Sequence, residues 1–272
     1  MTEPHASNET RAEGRLDPRA EGFFVGDRAL PRVHLWVLLA LAPVLLAAVL
    51  GAAALLGRAQ PPAGEGYASD ERTDVQGTVR MEPYPALVRT DAAGRSTSYL
   101  LAGEGKRGVA DEVQPFNGSI ATVTGTTLER DGHRMLLIAG EKDLRGAAEA
   151  MEADVALTTE QRGMKSLVGE IVDSKCYLGA MKPGQGKTHR PCAQLCILGG
   201  IPPVLIVLPP GGGSSEHYVL TTPEGERFAG ESLDRLLPHV GLPVRVTGEV
   251  TRRGDLLRIA VDPATGIERV NR

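Results

Sequence analysis

The sequence predicts a mainly β protein: one N-terminal transmembrane helix followed by two tandem small five-stranded barrels. Three observations predict it. The chain of 272 residues carries 33 glycines and 19 prolines, too many breakers for a helical bundle and suited to short strands joined by turns. A stretch of 23 residues, Leu35 to Gly57, contains no charge. The remainder repeats one strand-and-hairpin pattern.

At 1.5 Å per residue the uncharged stretch makes a helix of about 35 Å, longer than a hydrocarbon core of about 30 Å. Pro43 inside it is tolerated in a membrane helix. A cleaved signal peptide would show an apolar region of about 7–15 residues behind a short basic start. Here the run is longer and a polar segment, residues 1–33, precedes it, so the expectation is an uncleaved span over 34–57 that meets lipid through residues 35–57. Arg11, Arg15, Arg19, Arg28 and Arg32 lie before the span, and only Arg58 follows closely. The positive-inside bias then puts the N-terminus in the cytoplasm and the body on the periplasmic side of a bacterial inner membrane. Residues 1–33 read as a largely disordered tail. Its Phe23-Phe24-Val25-Gly26 patch suits interfacial anchoring or the docking of a membrane partner. Residues 58–73, with Gln60-Pro61-Pro62-Ala63-Gly64-Glu65-Gly66, read as a linker.

The first copy spans 74–142 and the second 165–270. They open with Val75-Gln76-Gly77-Thr78-Val79 and Leu167-Val168-Gly169-Glu170-Ile171, continue into Tyr99-Leu100-Leu101 and Tyr218-Val219-Leu220, and close with hairpins. The hairpins contain Val123-Thr124-Gly125 and Val246-Thr247-Gly248 and turn at Asp131-Gly132 and Arg253-Gly254. In the second copy three strands (about 167–173, 203–208 and 217–222), a short helix over Glu231 to Val240 and two final strands follow one another. That is the order of an OB-like barrel; an SH3-like barrel is the alternative. Residues 143–164, with Ala147 to Gly163, read as a helical connector. Between its first strand and its tyrosine strand the second copy carries about 27 more residues than the first, and all three cysteines fall in this insertion, 174–203.

Composition excludes several functions. Lys plus Arg is 30 against 34 Asp plus Glu, a net charge of -4 with no basic stripe, which argues against nucleic acid. Gly184-Gln185-Gly186-Lys187-Thr188 imitates the end of a phosphate-binding loop. It lacks the leading glycine, which would stand at Met181, and the strand before it, so no nucleotide is expected. Neither C-x-x-C-H nor C-x-x-C occurs. No constellation for hydrolysis or group transfer is visible, and the expectation is a non-catalytic protein.

The insertion reads Asp173-Ser174-Lys175-Cys176, then His189, Cys192 and Cys196, a C-x12-H-x2-C-x3-C pattern ending in Gly199-Gly200. If Pro191 begins a helix, Cys192 and Cys196 share one face, with His189 one turn earlier. Three sulfurs and an imidazole suit zinc, copper or iron. Lys165, Lys175, Lys182, Lys187 and Arg190 make the segment locally basic, which favours thiolate. Two alternatives stand beside the metal reading. Cys176 bridged to Cys192 or Cys196 would be a staple of roughly 3 kcal/mol, leaving one thiol over; a low-pKa cysteine would serve thiol–disulfide exchange.

Asp173, Ser174, Cys176, His189, Cys192, Cys196 and Gly199-Gly200 resemble the D-S-x-C … H-x-x-C-x-x-x-C pattern of a poorly characterised family of bacterial exported or membrane-anchored OB-like domains. The resemblance covers about 165–262 and implies a barrel, without an established activity. The topology is also similar to that of the periplasmic haem chaperones, but the tail Ile267 to Arg272 lacks their His-x-x-x-Tyr haem site. Together these readings predict a membrane-anchored accessory protein that binds a metal or redox centre through Cys176, His189, Cys192 and Cys196. Asp173, Ser174, Lys175, Lys187, Gly199 and Gly200 would support the site. The expected partner is a membrane redox or assembly complex; the alternatives are a disulfide-stapled assembly subunit and a thiol oxidoreductase.

Overall fold

The computed structural model describes residues 32–59, 66–81, 83–146, 157–209 and 213–270. The tail with Phe23-Phe24-Val25-Gly26, most of the Gln60–Gly66 segment and the middle of the expected connector lie outside the described residues. The chain divides into two units, Met1–Pro61 and Pro62–Arg272.

In the first unit, helix α1 (Arg32–Ala59) runs unbroken through Pro43. Within it Val33–Leu56 is long and apolar enough to cross a membrane, and its large side chains find no cover in the protein. An apolar surface on all sides suits lipid rather than a soluble core.

The second unit contains both barrels. The first uses β1 (Tyr67–Arg80), β2 (Ala86–Thr90), β3 (Ser96–Gly103), α2 (Ala110–Val113), β4 (Ile120–Arg130) and β5 (His133–Ile138), with a short β6 (Leu144–Gly146) added to β4. The second uses β7 (Thr159–Asp173), α3 (Arg190–Leu198), β8 (Pro203–Val207), β9 (Glu216–Thr221), α4 (Gly230–Leu236), β10 (Pro243–Arg253) and β11 (Leu256–Ala260), with β12 (Ile267–Arg269) on β10. The sheet order β1-β2-β3-β5-β4 closes through β1–β4, and β7-β8-β9-β11-β10 closes through β10–β7. Among the barrel-strand pairings of the described residues, β3–β5 and β9–β11 are parallel and the others antiparallel. Both barrels therefore have the expected five-stranded OB-like order, with a helix between the third and fourth strands.

The repeated glycines sit where this closure needs them. A Cβ on Gly77 would stand 2.5 Å from the Val88 carbonyl oxygen, and one on Gly125 2.7 Å from that of Leu137. Gly169 and Gly248 meet the Ile206 and Ala260 carbonyls in the same way. Small barrels bend their strands so sharply that backbones touch, and only glycine leaves room.

Two boundaries are corrected. The expected connector 143–164 is strand at its described ends: β6 takes Leu144–Gly146, and β7 begins at Thr159. Thr159, Glu160 and Gln161 pair with Arg253, Arg252 and Thr251, so ladder hydrogen bonds override the helix-favouring composition. The expected linker 58–73 likewise ends early, because β1 starts at Tyr67 and pairs with Glu129.

Along β3, Leu101 faces the first barrel's core while Leu100 and Ala102 face outward into a second apolar cluster. On β5, Leu136 and Ile138 point inward and Met135 and Leu137 outward. With a side-chain period of two, such unbroken apolar runs mark strands covered on both faces. The outer cover comes from the second barrel's insertion: Cys176, Leu178, Cys196 and Ile201 complete that cluster. The cysteine segment is thus the joint between the barrels.

Candidate metal centre

Strand β7 ends at Asp173, and the chain turns through Cys176–Ala180 before α3 begins. Asp173 is fully buried. Its Oδ1 accepts the Cys176 N–H at 2.8 Å, and its Oδ2 lies 3.1 Å from His189 Nε2, also buried. One carboxylate thereby fixes the turn that carries Cys176 and the histidine that precedes α3. With Pro191 in its first turn, α3 starts where expected and sets Cys192 and Cys196 four residues apart on one face.

Cys176, Cys192 and Cys196 are all free thiols, and their sulfurs lie within 4.8 Å of one another. Cys176 and Cys196 are buried; Cys192 is partly open. A second group within the same limit joins Asp173, Cys176 and His189. The four expected ligands are therefore distributed over two adjoining groups that share Cys176. His189 is engaged with Asp173 on one side, and the three sulfurs converge on the other. Both groups offer donor types that hold a metal ion.

The sulfurs share protons unequally. The hydrogen bond between Cys176 and Cys196 raises the Cys176 thiol far above its ordinary range, with burial and the Asp173 charge acting in the same direction. The same bond lowers the Cys196 thiol; burial and Asp173 oppose this, and the Lys106 charge assists it. Of the two, Cys196 gives up its proton the more readily.

The basic setting differs from the one expected of the segment. Lys187 is exposed on its loop. Lys175 is buried, and its Nζ donates to the carbonyls of Gly103 at 2.6 Å and Gly105 at 2.7 Å, tying the insertion to the first barrel. Burial lowers its pKa. The cation beside the sulfurs is Lys106, from the loop after β3, with Nζ 2.7 Å from Cys192 Sγ and 3.8 Å from Cys196 Sγ. The hydrogen bond to Cys192 raises its pKa. Local sequence could not supply this residue, since it comes from the other copy.

No family model matches this chain, and no curated protein or solved structure matches it.

The remaining expected residues shape the joint. Gly199 accepts a hydrogen bond from the Gly108 N–H at 2.6 Å, and a Cβ there would overlap the Lys106 carbonyl oxygen. Gly200 follows with φ of +96° and donates to the Ile197 carbonyl. Ser174 donates its N–H to the Pro202 carbonyl, while its buried Oγ has no partner and lines a cavity of about 20 Å³ with Tyr177, His133 and His217. Beside that cavity a polar network also joins the barrels. Ser215 Oγ donates to Asp131 at 2.5 Å and lies 2.9 Å from both Tyr177 Oη and His217 Nε2. His217 stacks on His133 at 3.9 Å, and the Arg130 guanidinium covers the Tyr177 ring at 3.8 Å.

Proposed function

We propose that this chain is a membrane-anchored accessory protein of the bacterial inner membrane, N-terminus cytoplasmic and barrels periplasmic. In this reading it binds a thiophilic metal ion through Cys176, Cys192 and Cys196, with His189 and Asp173 as the adjoining pair, and serves or stabilises a membrane redox complex. The convergence of three free sulfurs within 4.8 Å carries the reading. A staple needs two sulfurs and has no use for a third held equally near; a metal ion uses all three. The uncharged helix and the arginines before it support the anchoring and orientation. The D-S-x-C … H-x-x-C-x-x-x-C resemblance supports the exported class. A membrane redox complex is the class of client that a soft donor set on a membrane-anchored body would serve.

Metal analysis of the full-length protein, purified anaerobically in detergent without chelator, tests this. One equivalent of metal is expected, lost in Cys192→Ser and Cys196→Ser. A metal-free protein with one reducible disulfide and one thiol would replace the reading with a structural staple. Turnover of a dithiol substrate by that disulfide would replace it with thiol exchange.

A further inference from the structure

A thioether stands beside the thiols. Met181 Sδ lies 3.9 Å from Cys192 Sγ, and Met181 is 46% exposed, beside the partly open thiol of Cys192. Its place is fixed by the turn before it. Gly179 has φ of +144° and packs against the Tyr67 backbone, where a Cβ would come within 2.6 Å of the carbonyl oxygen. The chain leaves this contact in an extended conformation at Met181. The first side chain after the turn is thus delivered to Cys192.

We propose that Met181 completes the site as a fourth soft ligand and that the ion it selects is monovalent copper. The proposal rests on the three-thiol reading above and names its metal. Thioether sulfur is soft and uncharged, which suits Cu(I), whereas zinc is completed by thiolate, imidazole or carboxylate. The harder donors group with Cys176 rather than with all three sulfurs: His189 Nε2 is hydrogen-bonded to Asp173 Oδ2, and Asp173 Oδ1 to the Cys176 N–H. The ion is then surrounded by sulfur. Three thiolates around a monovalent ion leave two negative charges, and Lys106 beside Cys192 offsets one of them. Met181 on the exposed side is also where an ion would enter, because Cys176 and Cys196 are closed off from solvent.

The test titrates the full-length protein, reduced and anaerobic in detergent, with Cu(I) against a bathocuproine chelator and separately with Zn²⁺ against a zinc indicator. Met181→Leu conserves volume at a partly exposed position and should melt with the parent. It is expected to weaken Cu(I) by at least about 10–100-fold while leaving Zn²⁺ unchanged. Met181→His, which supplies an imidazole, should shift the preference toward Zn²⁺. Unchanged Cu(I) affinity in Met181→Leu, or a parent that takes Zn²⁺ in preference to Cu(I), would overturn the proposal and leave the three-thiol site standing. Binding of neither ion by the parent would overturn the site itself.

Discussion

Replacing Asp173 with alanine removes one acceptor from two buried groups, the Cys176 N–H at 2.8 Å and the His189 ring nitrogen at 3.1 Å. Both groups are enclosed, so water cannot take the carboxylate's place. Each orphaned group costs about 1–3 kcal/mol, which makes the substitution worth about 2–6 kcal/mol before any cavity cost. For a body of this size each kcal/mol moves the thermal midpoint by about 2–4 °C, so a fall of about 4–24 °C is expected. Asp173→Asn keeps an oxygen for the Cys176 N–H and should lose less than half as much. Circular dichroism melting of the reduced full-length protein with chelator present isolates this effect from metal binding. An alanine variant that melts with the parent, or an asparagine variant as damaged as alanine, would refute the view that Asp173 organises the site.

Other outcomes follow from the joint and the anchor. Gly199→Ala pushes a methyl into the Lys106 carbonyl and strains the Gly108–Gly199 bond, so it should cost at least about 1–3 kcal/mol in urea unfolding and weaken metal binding in parallel; unchanged values would mean the contact is loose. Burial, followed by repulsion from His133 and Arg130, lowers the His217 pKa from 6.5 to about 2. Between those values only the unfolded chain takes up the proton, so stability falls as the pH drops below 6.5, by about 2 kcal/mol at pH 5. His133, also lowered by burial, adds to the loss, and His217→Asn should flatten the pH dependence of the urea midpoint. For the topology, alkaline phosphatase fused after Arg272 should be active in a bacterial host and green fluorescent protein fused at the same place dark. The reverse pattern would place the barrels in the cytoplasm.

Much of the fold was legible because small barrels write their constraints locally. The Val-Thr-Gly hairpins and the paired glycines 77/169 and 125/248 mark strand crossings where a Cβ would strike a carbonyl, and the two copies repeat them in register. Residues 159–163 misled, because Glu, Gln and Arg favour helix in isolation and become strand only when β10 offers a partner. At the site, Cys192 and Cys196 could be set on one face from spacing and a proline-started helix alone, while Cys176 reaches them through the turn that Asp173 holds. The role of His189 could not, since the competing claim of Asp173, sixteen residues earlier, is a matter of burial. Lys106 was out of reach for a different reason: nothing in its own copy marks it, and only the docking of one barrel on the other brings it to Cys192. That docking is what covers Leu100 and Ala102 on the outer face of β3.

The central claim is that one metal ion sits among the three sulfurs where the barrels meet. Metal-edge X-ray absorption on the full-length protein as isolated, with metal content measured on the same sample, tests it most directly. Stoichiometric metal bonded to at least three sulfurs is expected, the number falling in Cys196→Ser. A shell of nitrogen and oxygen alone, or a metal-free protein whose cysteines are paired, would contradict it.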